Sequence, residues 1–157
     1  MLTFELDAPQ RLLLDTHIWI WASGNAGGPS RFGAWVGEKI DKAAREHRLH
    51  VCACSVWEIA LKSERGELRI AGDLKEWVHG QIQHPGVRLL GLSADLLVDS
   101  TRLPPWIRRT DGKPHRDPND RFLVTAARRR NAVLVTCDEL ILDYAAQGHL
   151  RACDARR

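Results

Sequence analysis

The 157-residue sequence contains no apolar run that approaches the roughly 20 residues of a membrane-spanning helix. Its start, Met1–Asp7, has neither the basic residues nor the long apolar core of a secretory signal peptide. It also lacks internal repeats, low-complexity linkers and Cys-x-x-Cys pairs. These absences exclude a membrane span and a zinc ribbon, and we expect a cytoplasmic protein made of one domain over residues 1–157.

The cysteines are few and scattered. In a cytoplasmic protein we expect the four, Cys52, Cys54, Cys137 and Cys153, to be reduced thiols. Cys52 and Cys54 are two apart in a strand-like segment, so we predict that both point to one face of a strand as small buried side chains. A thiolate metal site is the alternative interpretation.

Strand-like and helix-like segments alternate along the chain. The predicted strands are 11–14, 49–54, 87–90 and 132–136, with 149–153 as an additional last strand. Between them we predict helices after a Ser30 cap, from Val56 to Arg65, after an Asp73 cap, from Ala94 to Arg102, from Asn119 to Arg130 and from Asp138 to Ala146. This alternation predicts an α/β fold with a mostly parallel central sheet and helices on both of its faces.

Four acidic residues stand where a predicted strand gives way to a helix: Asp15, Glu58, Asp120 and Asp138. The carboxyl ends of parallel strands form one edge of the sheet, where ligands bind. Two carboxylates ~5 Å apart at an effective dielectric of ~20 repel each other by about 3 kcal/mol. Such a cluster needs a cation, and hard oxygen ligands favour Mg²⁺ or Mn²⁺.

Each of these acids except Asp15 has a simpler interpretation as a helix cap. Ser55 and Glu58 have the spacing of a capping box, and Asp138 can cap the last helix. Asp117 is a good N-cap with Pro118 in the first helical position, which leaves Asp120 as the better candidate for chemistry. Asp15 has no comparable interpretation, and one shared site explains all four acids together.

Positive charge is concentrated next to two of these acids. The stretch from Arg102 to Asn131 contains nine basic and three acidic residues, a net charge of +6, whereas the whole chain carries +3. A solvated helix face is one interpretation. A contact zone for a phosphate backbone is the other, and the adjacent acids favour it.

Four segments of the chain resemble the motifs of one family: Leu13-Leu14-Asp15-Thr16-His17, Ser55-Val56-Trp57-Glu58-Ile59-Ala60-Leu61-Lys62, His115-Arg116-Asp117-Pro118-Asn119-Asp120-Arg121 and Leu134-Val135-Thr136-Cys137-Asp138. In this order and spacing they are similar to PIN-domain ribonucleases, specifically the VapC-type toxins of bacterial toxin–antitoxin pairs. The resemblance spans residues 12–153. It implies a three-layer α/β/α sandwich whose carboxylates bind one or two Mg²⁺ or Mn²⁺ ions and cleave RNA.

The resemblance also implies roles for individual residues. Asp15, Glu58, Asp120 and Asp138 correspond to the catalytic metal ligands, with Asp117 as an additional candidate ligand. Thr136 matches an auxiliary hydroxyl that precedes the last acid. Asn119 and Cys137 depart from the family's usual Phe and basic or polar residue, which affects specificity rather than activity.

From the residues themselves, Arg116 and Arg121 are candidate RNA-backbone contacts, with salt pairing to neighbouring Asp residues as the alternative. His17 and His115 are expected to be ordinary histidines.

The sequence therefore predicts a metal-dependent endoribonuclease that acts as a toxin. The resemblance implies a homodimer and a cognate antitoxin segment lying across the active-site groove. Two alternatives remain open at this point. One is a PIN-domain nuclease for RNA processing with no toxic role, and the other is a non-catalytic module that binds metal or RNA.

Overall fold

The computed structural model describes residues 9–157, so the prediction for Met1–Asp7 lies outside the described residues. These residues form a five-stranded sheet in which every pairing is parallel. The strands are β1 (Leu12–Leu14), β2 (Leu49–Cys52), β3 (Val87–Leu90), β4 (Val133–Thr136) and β5 (Ala152–Asp154), and their spatial order is β3-β2-β1-β4-β5. The predicted parallel sheet is confirmed.

Helices connect the strands. The described residues form α1 (Thr16–Ala22), α2 (Ala34–Arg45), α3 (Ala53–Glu64), α4 (Leu74–Ile82), α5 (Ala94–Ser100), α6 (Pro118–Arg130) and α7 (Glu139–Ala146), with a short 3₁₀ turn at Gly28–Arg31. Asp73 and Ser93 cap α4 and α5 through their side chains, as the sequence predicts. Within residues 9–157 no helix is long and apolar enough to cross a bilayer.

The sheet separates two apolar cores. Leu12 and Leu14 of β1 point to one face and pack with residues of α1 to α4, while Leu13 points to the other face and packs with α5 to α7. This alternation is the ordinary period of a strand. The result is the predicted α/β/α sandwich, and β1 in its centre is buried on both sides.

The predicted start of α2 is wrong. Ser30 does not cap this helix: its hydroxyl donates to the Gly27 carbonyl in the 3₁₀ turn, and α2 begins only after Gly33. Gly33 lies against the end of the chain, where a Cβ atom would stand 1.5 Å from the Arg157 carbonyl oxygen. The position therefore requires glycine, and this tertiary contact rather than a local cap sets where α2 begins.

The predicted end of β2 is also wrong. The strand ends at Cys52 and α3 begins directly at Ala53, so Cys54 lies on a helix. The small apolar residues here suit either element, and the structure uses both. Cys52 and Cys54 are nonetheless buried in the same core, and all four cysteines are free thiols.

Candidate functional site

Asp15 is held rigidly where β1 meets α1. Its Oδ1 accepts a hydrogen bond from the Thr16 backbone N–H at 2.6 Å, and its Oδ2 accepts one from the Thr136 hydroxyl at 2.6 Å. It occupies the N-cap position of α1, so it does have a structural role that the sequence did not suggest. Only 7% of the residue is exposed. A carboxylate with both oxygens bonded and so little exposure has a fixed orientation.

Glu58 reaches towards Asp15 and does not cap its own helix. It is the sixth residue of α3, so the alternative interpretation of Glu58 as part of a capping box with Ser55 is wrong. The Thr16 hydroxyl oxygen lies 2.8 Å from Glu58 Oε2 and 2.8 Å from Ser55 Oγ. Lys62 lies one turn further along α3, with its Nζ 3.6 Å from the other Glu58 oxygen. Thr16 thus joins α1 to α3 and places Glu58 beside the end of β1.

Thr136 connects the first acid to the last. It is fully buried at the end of β4, where its hydroxyl donates to Asp15 and accepts from the Asp138 backbone N–H at 3.0 Å. Asp138 caps α7, because its Oδ1 accepts from the backbone N–H groups of Leu140 and Ile141. Both roles of Asp138 in the sequence prediction, helix cap and member of the acidic group, are therefore compatible.

Asp117 and Asp120 have different structural roles at the start of α6. Asp117 is exposed, and its Oδ1 accepts from the Asp120 backbone N–H at 3.1 Å, which makes it the N-cap of α6. Asp120 is partly buried, and its Oδ2 lies 2.7 Å from His115 Nε2.

Electrostatics shows that the acids form one group. Burial and, after it, the charges of four further carboxylates, Asp117, Asp138, Asp15 and Glu58, together raise the pKa of Asp120 to about 8. Burial also raises the pKa of Asp15, against the lowering effect of its hydrogen bonds, and Glu58 adds to the rise. The acids singled out from the sequence therefore lie close enough to influence one another electrostatically.

His115 is a site residue that the sequence analysis treated as ordinary. Its ring packs against Trp106 at a centroid distance of 4.4 Å, and burial lowers its pKa. The backbone bond from His115 N–H to the Trp106 carbonyl holds the loop that presents it to Asp120. The only available signal was its place just before the Asp117–Asp120 motif. Thr16 and Ser55 were likewise missed, although both belong to the recognised motifs.

The donor set suits a hard divalent cation. Within residues 9–157 no three His, Cys, Asp or Glu side chains already stand together as a metal-holding group. Mg²⁺, however, keeps several waters and is held by one or two carboxylates. Carboxylate oxygens fit it, and a cation here would reverse the repulsion that raises the pKa of Asp120.

The basic stretch is divided between two places. Arg108, Lys113 and Arg116 line a depression together with His115 and Asp117, whereas Arg128–Arg130 occupy the last turn of α6, eight to ten residues or roughly 12–15 Å along the helix from Asp120. Arg121 donates to the carbonyls of Ser100 and His115, at 3.0 and 3.1 Å, which fixes the loop, and its role as a candidate RNA contact stays a prediction. Arg116 is exposed next to Asp117 and keeps its predicted role as a candidate RNA contact.

A groove of about 480 Å³ opens beside the acids. Glu58, Asp117 and Asp120 line it on the polar side, and Trp57 and Phe122 are among its apolar walls. Trp57 is 59% exposed, the most exposed of the large apolar residues within residues 9–157. The groove can therefore receive a ligand with both charged and flat apolar parts.

Comparisons with known proteins agree with this architecture. The PIN domain model matches residues 12–147. Similar solved structures include VapBC2 from Rickettsia felis bound to a DNA fragment from its promoter (TM-score 0.60, 14% identity, 90% of this chain and 96% of that one). FitAB bound to an IR36 DNA fragment is another (TM-score 0.59, 16% identity, 93% of this chain and 96% of that one). A third is FitAcB from Neisseria gonorrhoeae (TM-score 0.56, 20% identity, 92% of this chain and 97% of that one). No curated protein matches the chain.

Proposed function

The chain belongs to the PIN domain family, and from this we propose that it is a Mg²⁺- or Mn²⁺-dependent endoribonuclease acting as the toxin of a toxin–antitoxin pair. One observation carries the proposal: Asp120 is partly buried near carboxylates from separate elements, and its burial together with their charges raises its pKa to about 8. A buried group of like charges is costly for a protein that has no cation to place in it. Nuclease activity at a carboxylate-bound cation would explain why the protein keeps these acids together despite the cost.

Each acid has a defined part in the proposed site. Asp15, Glu58, Asp120 and Asp138 would hold the cation, with Asp117 as an additional ligand. When bound, Mg²⁺ or Mn²⁺ would polarise the scissile phosphodiester and lower the pKa of an attacking water.

The surrounding residues would keep these oxygens in place. Thr136 fixes Asp15 and the start of Asp138 through one hydroxyl, while Thr16 fixes Glu58. His115 fixes Asp120. Hydrogen-bonded partners of this kind orient ligand carboxylates and tune a metal site.

The polymer is proposed to be RNA. Arg116 is exposed at the edge of the acidic group and can contact a phosphate. Trp57 presents an exposed indole to the same groove, where a base unstacked from a single strand can stack on it.

The partner is proposed to be an antitoxin. The similar structures are described as VapBC2 and FitAB complexes bound to DNA fragments. An antitoxin segment that buries Trp57 and neutralises the acidic groove would block substrate, and we propose that the toxin forms a homodimer. Free thiols at all four cysteines support a cytoplasmic location.

The decisive experiment incubates purified, antitoxin-free protein with single-stranded RNA and Mn²⁺. We expect cleavage that stops on chelation with EDTA and disappears in the Asp15→Asn variant. Intact RNA after exhaustive incubation of a folded protein would refute the nuclease. Cleavage without growth arrest on expression would instead favour RNA processing over a toxin.

A further inference from the structure

The edge of the sheet opposite the acids carries an arginine at the entry of every strand. Arg88 lies at the start of β3, and Arg48, Arg11 and Arg151 directly precede β2, β1 and β5. Arg130 ends α6 just before β4. In the spatial order of the strands the row reads Arg88, Arg48, Arg11, Arg130, Arg151. With strands ~4.8 Å apart, it extends roughly 19 Å across the sheet.

These arginines line one groove. Its volume is about 760 Å³, and among the described residues that line it there is no Asp or Glu. The lining residues are Pro9, Gln10, Arg11, His47, Arg48, His50, Arg88, Leu89, Leu90, Arg130, Asn131 and Arg151. Glu46 bonds Arg48 from outside this lining. The groove thus concentrates positive charge in a chain whose net charge is only +3.

Backbone carbonyls hold the arginines in position. Arg11 donates to the Arg130 carbonyl at 3.1 Å, and Arg88 donates to the His47 carbonyl at 3.2 Å. A guanidinium has five N–H donors, so such a bond positions it and leaves further donors for a ligand. Arg11, Arg88 and Arg130 are exposed.

The positive charge of the arginines also affects the neighbouring His50. Burial lowers the pKa of His50, and the charges of Arg11 and Arg88 lower it further. Charge complementarity to the helix ends does not account for the row. Arg130 suits the negative end of α6, but Arg11, Arg88 and Arg151 belong to strand entries rather than to the last turn of a helix.

The groove is continuous with the candidate active site. It shares Leu90 and Arg130 with an adjoining depression, and Leu92 of that depression also lines the groove beside Glu58 and Asp120. The path follows β3, whose four residues extend roughly 13 Å. A polymer seated at the acids can therefore reach the arginines along this side of the molecule.

We propose that this arginine groove binds the phosphate backbone of the RNA at a distance from the cleaved bond. The polymer's identity rests on the proposed nuclease function, whereas the preference for successive phosphates rests on the groove itself. In a stacked strand at roughly 3.4 Å per nucleotide, the three steps of a tetranucleotide span about 10 Å, less than the 13 Å path. A tetranucleotide at the acids cannot also occupy the arginine groove, but a 20-nucleotide RNA can.

Binding is tested without catalysis, in EDTA, with a fluorescent 20-nucleotide single-stranded RNA over a range of salt concentrations. The test variant is Arg88→Gln/Arg130→Gln, and Arg69→Gln/Lys75→Gln is the control with the same loss of charge at exposed positions elsewhere. Each lost phosphate contact lowers the slope of log affinity against log salt by ~0.7 for a single strand. We expect the slope to fall by about 1.4 and the affinity at 0.1 M salt to fall on the order of tenfold.

A charge-preserving variant separates electrostatics from structure. Arg88→Lys/Arg130→Lys should retain the parent's salt slope and most of its affinity. If the glutamine variant binds like the Arg69/Lys75 control, the proposal is overturned. Preference for an acidic peptide over RNA, lost in the same glutamine variant, would assign the groove to a protein and would also overturn it.

Cleavage with Mn²⁺ distinguishes failure of this proposal from failure of the nuclease assignment. We expect the glutamine variant to cut the tetranucleotide like the parent but to lose about tenfold in kcat/KM on the 20-nucleotide RNA. Equal loss on both lengths, or no loss on either, overturns the distant groove while the nuclease stands. No cleavage by the parent on either substrate overturns the nuclease, and the binding result still decides the groove.

Discussion

The two edges of the sheet carry opposite charge and hold it in opposite ways. At the carboxyl edge, Asp15 is almost fully buried and is fixed by threonine hydroxyl and backbone N–H donors. At the amino edge, Arg11 and Arg88 are exposed and anchored by backbone carbonyls. In a parallel sheet with crossover helices, helix N-termini gather at the carboxyl edge, where their dipoles favour the acids, whereas of the arginine row at the amino edge only Arg130 lies in the last turn of a helix.

The difference between the edges indicates what each can do. Buried acids that repel one another can hold a cation in a fixed position and exclude water from it, which suits catalysis. Exposed arginines spread over five strands can follow a flexible polyanion, which suits binding. The predictions below test this contrast, starting with the largest expected effect.

The substitution Asp15→Asn should reduce RNA cleavage to background. It removes the best-fixed carboxylate of the group while an amide of the same shape keeps the neighbouring packing. The melting temperature should stay the same or rise without metal, because repulsion with Glu58 is lost. Initial-rate assays and thermal melts check this, and a variant as active as the parent would remove Asp15 from the site.

The substitution Thr136→Val should lower cleavage by roughly 10- to 100-fold, the usual cost of losing a residue that orients a ligand. It leaves a buried Asp15 oxygen and the Asp138 N–H without their shared partner. That should cost about 1–3 kcal/mol of unfolding free energy. Thr136→Ser is the matched control, since it keeps the hydroxyl, and it should retain most activity. Similar losses in both variants would mean that methyl packing matters more than the hydrogen bonds.

At the amino edge, the Arg88→Gln/Arg130→Gln variant should lose on the order of tenfold in RNA affinity while its thermal stability stays close to that of the parent. Comparison with Asp15→Asn gives the contrast directly. The acid variant should lose turnover on RNA of any length, and the arginine variant should lose binding only of long RNA. Equal loss of tetranucleotide cleavage in the Asp15→Asn and Arg88→Gln/Arg130→Gln variants would contradict the proposed difference between the two edges.

Deprotonation of Asp120 should make the metal-free protein less stable as the pH rises. Its pKa is raised from 3.8 to about 8 on folding, so between these values the folded state binds more protons than the unfolded state. This contribution to stability is present in full at low pH and is lost as the pH rises through about 8. The substitution Asp120→Asn should therefore raise the melting temperature more at pH 8.5 than at pH 5, with each kcal/mol worth roughly 2–4 °C. Equal effects at both pH values would show that Asp120 ionises normally.

Much of the fold and the membership of the acidic group could be predicted from the sequence. Strand-like segments and turn residues mark the alternation, and an acid after a parallel strand lies at one edge by topology alone. What failed depends on tertiary contact. The start of α2 is set by Gly33 against Arg157, and the capping-box alternative for Glu58 fails because α3 already starts at Ala53.

The net charge along the chain was an incomplete guide for a related reason. A net charge counted from Arg102 to Asn131 merges the two ends of α6, which lie at different edges of the sheet. The arginine row had the opposite problem. Its members, Arg11, Arg48, Arg88, Arg130 and Arg151, are single residues far apart in sequence. Residues that follow parallel strands share one edge of the sheet, and residues that precede them share the other. The same topological argument would therefore have found these arginines.

The central claim is that the carboxyl edge holds a divalent cation, and calorimetric titration of the purified, antitoxin-free protein with Mn²⁺ tests it most directly. We predict saturable binding that weakens at least about tenfold in Asp120→Asn. We also predict that Asp143→Asn, which removes one acid outside the group, leaves binding unchanged. Absence of Mn²⁺ binding by the folded parent, or equal binding by parent and Asp120→Asn, would contradict the account.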